Sequence, residues 1–579
     1  MCEDTKATAD AVEEWAPKKG TGKKPFHYEI DEGCFLNRRE YTLYTELDPH
    51  GKPITDGRFD YSVWCTGDDQ YEYGVLWDDA PEGAMKARFP FLTYVQLFCA
   101  TGGEIAGYAD GQVTRDLFVD PFHPEKGYDF EPLLRICRNI VRQGLKPYLK
   151  LGHVPVAFSD DFARSKKFRT NLRPPTDWNR YFKYLCDVMD GLKETFGEEE
   201  LKTWRWGSFT EIDNEDWLRT ADDSEEHTLQ AAIRIYQCTT AAVEHALGEG
   251  AASIGPHFCQ GRWDILRFLD ACLHEVNPFS GRTGSPVSWV ALSHYAWHPG
   301  NPSYSDHKEL MRKIRERFGI RKFSHDEGNM LLGIDGLNLI TTTYCAQPFA
   351  ISYNAWNFKQ DQDNGVESRY MWGFTTDSAV GWSGKFNSTC LIGVDYGFTN
   401  AYHLMSRLHG SLRQPVARGS LLLNKSDLVD GVIGYRPEEK KLQILVFNHN
   451  EDFYARTTEN VTLRIVCGQS SRPVNLHRWQ VDEDHGDFWK TWWEERGRNA
   501  RYLQSAFDAT YPLVLQDPDD VRYWEENEAR YAQLARLPEP TGHPMEWDGR
   551  TLIIRDAVLH HGIVYYEIEG IETESDTAR

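Results

Sequence analysis

Between about residues 85 and 400, short apolar runs alternate with amphipathic segments of helical spacing. This alternation is typical of repeated strand–helix units, in which each helix returns the chain across one face of a parallel sheet. We therefore expect an α/β fold, and the length of the region favours a (β/α)8 TIM barrel. The pattern predicts helices at 130–143, 181–196 and 225–247, and strands at 91–98, 146–151, 204–212, 252–256, 289–294, 323–326 and 349–356.

The regions on either side of this alternation have other patterns. Residues 1–24 are charged and rich in Lys and Gly, and we expect them to be mobile. Residues 25–84 alternate apolar and polar positions between Gly and Pro turns, which indicates antiparallel strands packed on the sandwich or the barrel. The barrel is expected to occupy 85–410. Period-two alternation then returns and predicts an accessory β-sandwich over 411–579, with a Trp-rich helical segment inside it.

The charge and the cysteine pattern exclude several classes of function. A formal net charge of −24 disfavours nucleic acid and anionic membranes as partners. No apolar run is long enough to span a bilayer, and the N-terminus lacks a signal peptide, so we expect a cytoplasmic protein unless a leader has been removed. The 12 Cys residues lack CxxC or His-rich spacing, so a zinc site is not expected.

The stretch 204–217 is the strongest candidate for catalysis. It is predicted to be a strand that ends in a cluster of acidic residues around Asn214 and Glu215. At the carboxyl end of a barrel strand, a Glu can protonate a leaving oxygen, and the preceding Asn can bind a sugar hydroxyl. Glu211 and Asp213 are rival candidates for the acid, although strand alternation would hide one of them.

A second carboxylate follows the predicted strand at 323–326. Glu327 lies 112 positions after Glu215 (327 − 215), and three strand–helix units take roughly 95 residues, so the two acids fit the ends of strands four and seven. Gly328 allows a tight turn at the rim. Asp326 competes for the role, but adjacent residues of a strand point to opposite faces, so only one faces the barrel mouth. Glycoside hydrolysis with retention requires two such carboxylates.

Taken in order, these motifs resemble glycoside hydrolase family 39, the β-xylosidase and α-L-iduronidase family of clan A. The family's acid/base strand typically runs Trp-x-Phe-Glu-Val-Trp-Asn-Glu-Pro-Asn, and 204–217 is similar to it, with Glu211, Asn214 and Glu215 on matching positions. The resemblance covers roughly residues 85–535. It implies a TIM barrel with a β-sandwich, and hydrolysis with retention by Glu327 as nucleophile and Glu215 as acid/base.

The chain departs from the family pattern in two places. Asp213 and Asp216 stand where the family has Trp and Pro, and the segment 96–98 stands where the family carries an Arg that supports the nucleophile. These departures indicate a sugar specificity different from that of the best-known members.

Further residues at predicted strand ends are candidates for binding the sugar. His294 and Tyr295 match positions where the clan places a His or a Tyr near the nucleophile, and His153 ends the third strand. For His294, a buried histidine of the core is the alternative. Trp356 and Trp297 are candidates for a wall that stacks on sugar rings, although packing of the rim is the alternative for both.

The predicted function is that of a retaining glycoside hydrolase that cleaves oligosaccharides, exo-acting, with a xylosidase-like or a related pentose or hexose specificity. Glycoside hydrolysis of this kind needs no metal and no organic cofactor. Two alternatives remain open at this point. One is a non-catalytic carbohydrate-binding protein on the same scaffold, and the other is an endo-acting clan A glycanase, which the shape of the pocket would distinguish. The helical segment near the C-terminus is a candidate surface for a homo-oligomer.

Overall fold

The computed structural model describes residues 40–571, with gaps at 55–58, 64–76, 79, 104–115, 122, 167–169, 297–303, 335–336, 341–347, 373–389, 392–393, 421–428, 451–454, 468–474, 497–500, 505–509 and 514–517. Predictions for 1–24 and for Trp297 lie outside the described residues.

The largest sheet consists of parallel strands in the order expected for a barrel. Each strand pairs in parallel with the next one along the chain, and the last pairs with the first. The eight barrel strands are numbered one to eight in chain order. They are Phe59–Val63, Tyr94–Leu97, Lys146–Lys150, Arg205–Gly207, Ser253–Gly255 continued by His257–Phe258, Val290–Ala296, Phe323–Ile334 and Val366–Trp372.

The sheet returns on itself at strand five, which Pro256 divides into two halves. Ser253–Gly255 pairs with strand four, and His257–Phe258 pairs with strand six. A proline has no amide hydrogen to give to the ladder, but its carbonyl accepts a bond of 2.9 Å from the Ala291 amide. The strand order therefore begins and ends within residues 253–258, which form strand five. The predicted α/β barrel fold is confirmed.

Two predicted elements differ from those observed. The stretch predicted as strand eight lies in the helix Phe349–Asn364, and strand eight follows it after Gly365, which has a φ of 72°. Because apolar residues such as Phe349, Ile351 and Ala355 are buried on nearly every side of this helix, the sequence shows no helical period there. Phe59–Val63, predicted as an antiparallel strand before the barrel, is barrel strand one and pairs in parallel on both sides.

Helices surround the barrel strands. Three begin with a side-chain cap, from Asp177, Ser224 and Asp264, which accepts hydrogen bonds from amides of the first turn. The helices predicted at 130–143, 181–196 and 225–247 are confirmed. The helices of this part are Ala84–Arg88, Glu131–Arg142, Trp178–Phe196, Glu198–Leu201, Glu225–Leu247, Ile265–His274, Tyr304–Phe318, Phe349–Asn364 and Gly397–Ser406, with short 3-10 turns at Pro124–Lys126 and Val156–Phe158.

The second unit is a sandwich of two sheets around an apolar core that includes Leu43, Ile444 and Leu463. One sheet has the order Ala417–Ser420, Glu40–Glu46, Glu459–Val466, Thr551–Val558 and Glu546–Trp547. The other has the order Leu412–Gln414, Val429–Arg436, Lys441–Asn448, Ile563–Glu569, Leu476–Val481 and Thr541–Gly542. The N-terminal strand Glu40–Glu46 thus belongs to the sandwich.

The Trp-rich segment connects the sandwich to the barrel. Trp489 and Trp492 are buried, and Phe488 stacks on Tyr396 of the barrel side at 5.8 Å. A single apolar core runs from the barrel helices to Phe447 and Ile563 of the sandwich. The remaining elements are the helices Trp489–Glu495 and Pro518–Leu534, the turn Pro437–Glu439, and the short strands Leu337–Ile340, Cys390–Leu391, Val394–Asp395, Arg501–Gln504 and Thr510–Leu513.

Candidate active site

A β-bulge in strand seven turns two consecutive acids into the barrel. Leu292 of strand six lies opposite His325, whereas the next residue, Ser293, lies opposite Glu327, so strand seven has one extra residue there. The same extra residue appears against strand eight. A bulge breaks the alternation of side chains. The prediction that Asp326 and Glu327 point to opposite faces is therefore wrong, because both contact residues of the barrel interior.

Asp326 lies deeper in the barrel and is paired. Its carboxylate lies 2.6 Å from the Lys150 ammonium group, and neither side chain has any exposed surface. The hydroxyls of Tyr148 and Ser324 donate to the same carboxylate. Burial alone would raise the pKa of Asp326, but the Lys150 charge together with the hydrogen bonds from Lys150 and Ser324 lowers this pKa to about 2. Asp326 therefore remains ionised and is engaged in the structure of the barrel.

Glu327 lies at the level of the barrel mouth and has a carboxyl group as its neighbour. The Tyr295 hydroxyl donates to its Oε2 at 2.8 Å, and a further hydrogen bond joins it to Glu211. Burial and the charge of Glu211 raise the pKa of Glu327 well above its usual value. Two carboxyl groups in contact do not both ionise readily. The contact therefore favours a state in which only one of the two carboxyl groups is ionised.

Glu211 is as buried as Glu327, each with 6% of its surface exposed. It lies four residues beyond the end of strand four, with a φ of 43°. The Ser293 hydroxyl donates to its Oε1 at 2.6 Å, and the Asn214 amide donates to its Oε2 at 2.7 Å. The left-handed backbone at Glu211 ends the alternation of strand four, so alternation does not decide which acid faces the site.

His257 connects the backbone and the side chain of Glu211. The Glu211 amide donates to Nδ1 of His257 at 3.3 Å, and Nε2 of His257 lies 2.9 Å from the Ser293 hydroxyl. Burial lowers the pKa of His257 well below its usual value, so the ring is neutral. Because Nδ1 accepts, the proton is on Nε2 and points to Ser293, which in turn donates to Glu211. These bonds fix the position of the Glu211 carboxyl.

Glu215 is not the carboxylate that contacts Glu327. Its side chain is 60% exposed, and its cationic neighbour is Arg219 at 3.4 Å. This corrects the pairing predicted from the sequence. The family motif contained the signal: its acid/base Glu is the eighth residue counted from the first Trp, and the eighth residue from Trp204 is Glu211. The prediction instead gave weight to the letters Asn-Glu at 214–215.

The other acid of this loop, Asp213, holds the loop after strand five. Its carboxylate accepts the amides of Cys259 and Gly261 at 2.8 and 2.7 Å. Burial raises the pKa of Asp213 to about 6, against the opposing effect of these two hydrogen bonds. Asn214, predicted to bind sugar, donates to Glu211 and accepts the Asp216 amide, so it orients the acid loop.

His153 lies beneath the acid loop rather than at its surface. Its Nε2 accepts the Thr210 amide at 3.2 Å, and its ring stacks on Phe209 with centroids 4.0 Å apart. Burial lowers the pKa of His153 to about 3, so the ring is neutral. The structure thus gives His153 a role in supporting the residues before Glu211.

Two further predicted sugar contacts lie away from the carboxyl pair. His294 is buried between strand six and the helix Tyr304–Phe318, where its ring meets those of Tyr304 and His307. Trp356 lies on the helix Phe349–Asn364 and stacks on His449 of the sandwich, with centroids 5.6 Å apart. These placements correct the prediction that both line the sugar site. Of the site residues predicted on strand six, Tyr295 is the one that contacts Glu327.

The described residues contain neither a metal-binding cluster nor a membrane-spanning helix. No group of three or more His, Cys, Asp or Glu side chains in that part of the chain has the arrangement needed to hold a metal ion. Among the described helices, none combines the length and the hydropathy required to cross a bilayer.

Comparison with known proteins supports the resemblance seen in the sequence. No protein-family model matches the chain. A β-xylosidase from Geobacillus stearothermophilus is 23% identical over 168 residues, 29% of this chain and 31% of that protein. A β-xylosidase from Caldicellulosiruptor saccharolyticus is 19% identical over 384 residues, 61% of this chain and 69% of that protein. The chain thus spans about a third of the first relative's length in that match.

A solved structure matches over far more of the chain. The family 39 enzyme from Xanthomonas axonopodis pv. citri has a TM-score of 0.62 at 12% identity, and the match covers 92% of this chain and 97% of that one. The protein has the fold of family 39 enzymes. The resemblance to glycoside hydrolase family 39 is therefore confirmed.

Proposed function

We propose that this protein is a retaining glycoside hydrolase in which Glu327 is the nucleophile and Glu211 is the acid/base. The observation that carries the proposal is the buried, hydrogen-bonded pair of carboxyl groups, with Glu211 beyond the carboxyl end of strand four and Glu327 in strand seven. Active sites of TIM barrels lie at this end. A pair of carboxyl groups that shares a proton supplies both an acid and an anion, which glycoside cleavage needs.

The two roles are assigned by position in the barrel. Glu211 is the eighth residue from Trp204, the place that the acid/base Glu has in the family motif, and Glu327 belongs to strand seven, where the resemblance places the nucleophile. The Tyr295 hydroxyl donates to Glu327. With a glycoside bound, Glu327 attacks the anomeric carbon while Glu211 protonates the leaving oxygen. Glu211 then takes a proton from water, which attacks the glycosyl–enzyme bond and releases Glu327.

The closeness of the carboxyls favours retention over inversion. Inverting enzymes separate the two groups by about 6.5–9.5 Å to leave room for a water molecule. A direct hydrogen bond between Glu211 and Glu327 leaves no such room. The Ser293 hydroxyl and neutral His257 hold the Glu211 carboxyl in place as it gives up and regains its proton.

The proposed substrate is a β-xyloside, cleaved from the end of a short oligosaccharide. Support for the sugar comes from the curated relatives, both of which are named β-xylosidases. A carbohydrate-binding protein without catalysis is the weaker candidate, because two carboxyls in contact in a buried site are costly to keep unless they react.

The experiment is a screen of aryl glycosides, led by β-xylosides, with variants of each acid. Glu327→Ala should abolish turnover, and azide should restore it by forming a glycosyl azide of inverted configuration. Glu211→Ala should lose far less activity on substrates with good leaving groups than on alkyl glycosides, because an activated leaving group needs no proton.

Glu215→Ala is the matched control for Glu211→Ala. It removes the same side chain from the same loop, but from an exposed position, so activity should stay within about twofold of the parent protein. If Glu215→Ala shows this dependence on the leaving group and Glu211→Ala does not, the acid/base role would return to Glu215. Absence of turnover on every glycoside by the unaltered protein would contradict the proposed function.

A further inference from the structure

The bulge of strand seven that carries Asp326 and Glu327 is contacted by one guanidinium group, that of Arg369. Arg369 lies on strand eight opposite His325, the last residue before the bulge, and the pairing of the two strands resumes at Gly328. The Nη2 atom of Arg369 donates to Nδ1 of His325 at 2.9 Å. A Cβ atom at Gly328 would lie 3.2 Å from Nη1 of Arg369. The guanidinium group therefore lies against both ends of the bulge.

Arg369 is itself held by the helix Phe349–Asn364. Its Nε and Nη2 atoms donate to the Asp361 carboxylate at 3.0–3.1 Å, and the Tyr304 hydroxyl donates to the same carboxylate at 2.6 Å. Arg369 and Asp361 are both buried. Replacing a buried ion pair with apolar side chains of similar volume often leaves stability unchanged or raises it, so stability alone does not account for this pair. A planar guanidinium group, by contrast, fixes the directions of several hydrogen bonds at once.

Histidines extend the contacts of this guanidinium group. Because a guanidinium group can only donate, Nδ1 of His325 accepts and its Nε2 carries the proton. This Nε2 lies 3.3 Å from Nδ1 of His307 on the helix Tyr304–Phe318. The Nη1 atom of Arg369 lies 3.4 Å from Nδ1 of His294 on strand six. Directly or through His325, Arg369 thus connects strands six, seven and eight with two helices at the level of the bulge.

We infer that Arg369 is a positioning residue that holds the bulge of strand seven and thereby fixes the Glu327 carboxyl against Tyr295 and Glu211. The inference rests on the proposed function, because it assigns a support to the proposed nucleophile. Adjacent residues of a regular strand point to opposite faces, so Asp326 and Glu327 both reach the barrel interior only because of the bulge. A displacement of a reacting group by about 1 Å can slow the reaction roughly 100-fold.

Arg369→Lys tests this role while retaining the charge. An ammonium group can still pair with Asp361, but it lacks the planar fork that reaches Asp361 and His325 together. On a dinitrophenyl glycoside that the parent protein hydrolyses, the leaving group needs no acid, so kcat/KM reports the attack of Glu327. It should fall about 100-fold in Arg369→Lys. The inhibition constant of the released sugar does not depend on this attack and should stay near the parent's.

Arg478→Lys is the matched control, because Arg478 makes a similar set of bonds in the sandwich. Its Nε donates to the Asp556 carboxylate at 2.6 Å, and the Tyr566 hydroxyl donates to the same carboxylate, also at 2.6 Å. Both lysine variants should be less stable in urea, but only Arg369→Lys should lose kcat/KM. Equal kcat/KM values in the two variants would overturn the inference. So would a rise in the inhibition constant as large as the fall in kcat/KM.

A double variant guards against misfolding of Arg369→Lys. Arg369→Met combined with Asp361→Asn removes both buried charges, so it should fold, and it should show the same loss of kcat/KM. A folded double variant with the kcat/KM of the parent protein would show that Arg369 does not position the nucleophile.

Failure of this inference differs from failure of the proposed function. If Glu327→Gln keeps the parent's activity, or the parent hydrolyses no glycoside, the proposed function is wrong. If Glu327→Gln is inactive while Arg369→Lys keeps its full kcat/KM, only the role of Arg369 is wrong.

A crystal structure of Arg369→Lys tests the same role without turnover. The bond from the Tyr295 hydroxyl to Glu327, 2.8 Å long in the parent protein, should lengthen beyond hydrogen-bonding distance as the bulge shifts. An unchanged bulge with an unchanged bond between Tyr295 and Glu327 would overturn the inference.

Discussion

Asp326 and Glu327 are neighbours in sequence, and both are buried carboxyls inside one barrel, yet their surroundings drive them in opposite directions. Lys150 lowers the pKa of Asp326 to about 2, whereas burial and Glu211 raise the pKa of Glu327 well above its usual value. The lower layer of the barrel interior is the ion pair of Asp326 with Lys150. The upper layer is the pair of carboxyl groups of Glu327 and Glu211, which share a proton. The difference shows that the charged partner of a buried acid, rather than its burial, decides whether the acid stabilises the fold or takes part in the proposed reaction.

The largest expected effect comes from exchanging each acid for its amide. Glu327→Gln should reduce kcat/KM by about 10⁴-fold or more, because the nucleophile is lost, and should leave the protein as stable as its parent. Asp326→Asn should instead lower the free energy of unfolding by about 3 kcal/mol, because it leaves the Lys150 charge buried without a partner. The kcat/KM values and the urea unfolding curves of both variants test this comparison. Equal losses of stability in Glu327→Gln and Asp326→Asn would contradict it.

The pH dependence of stability should have opposite signs in the two layers. Asp326 has a lowered pKa in the folded state, so it contributes stability above pH 3.8, on the order of 2 kcal/mol, and this is lost as the pH falls through about 2. Glu327 has a raised pKa, so it contributes stability below about pH 4.5 that is lost as the pH rises.

Thermal unfolding from pH 3 to pH 8 therefore separates the two amide variants. Relative to the parent, Glu327→Gln should gain stability as the pH rises, and Asp326→Asn should lose it. Parallel curves for the two variants would show that the two layers do not differ in this way.

A pair of serines offers a finer comparison. Ser293 donates to Glu211 in the upper layer, and Ser324 donates to Asp326 in the lower one, each at 2.6 Å. A hydrogen bond to a charged group contributes about 2 kcal/mol, and in the proposed cycle Glu211 becomes charged as it gives up its proton. Ser293→Ala should therefore reduce kcat/KM roughly 30-fold with a small change in stability, and Ser324→Ala should do the reverse. If Ser324→Ala affects activity as much as Ser293→Ala, the layers are coupled more strongly than proposed.

Much of the barrel can be predicted from the sequence, because apolar residues recur with a clear period along its strands and helices. The helix Glu225–Leu247 has the bounds that are predicted from the sequence. The helix Phe349–Asn364 was mistaken for a strand because the sandwich covers the side that solvent would reach in an isolated barrel, so its polar face is missing. Such contacts between distant segments do not appear in local periodicity.

The site was predictable only in part, for a reason of backbone geometry. Glu327 follows from its place after a short strand. The assignment of the acid role to Glu215 came from the letters Asn-Glu, whereas the opposite orientation expected for Asp326 and Glu327 came from assuming a regular strand. A bulge in strand seven breaks that regularity, and Glu211, which lies beyond strand four, has a left-handed backbone. Irregular backbone of this kind concentrates at functional sites.

The most direct test of the carboxyl pair is to trap the glycosyl–enzyme and locate it. A β-xyloside that carries fluorine at carbon two and a dinitrophenyl leaving group should form the covalent intermediate and hydrolyse it slowly, so that the adduct accumulates. Peptide mass spectrometry of the inactivated protein should place the sugar on Glu327, and Glu211→Ala should still form the adduct because this leaving group needs no acid. An adduct on Asp326, Glu215 or Glu211 would contradict the assignment of Glu327 as the nucleophile.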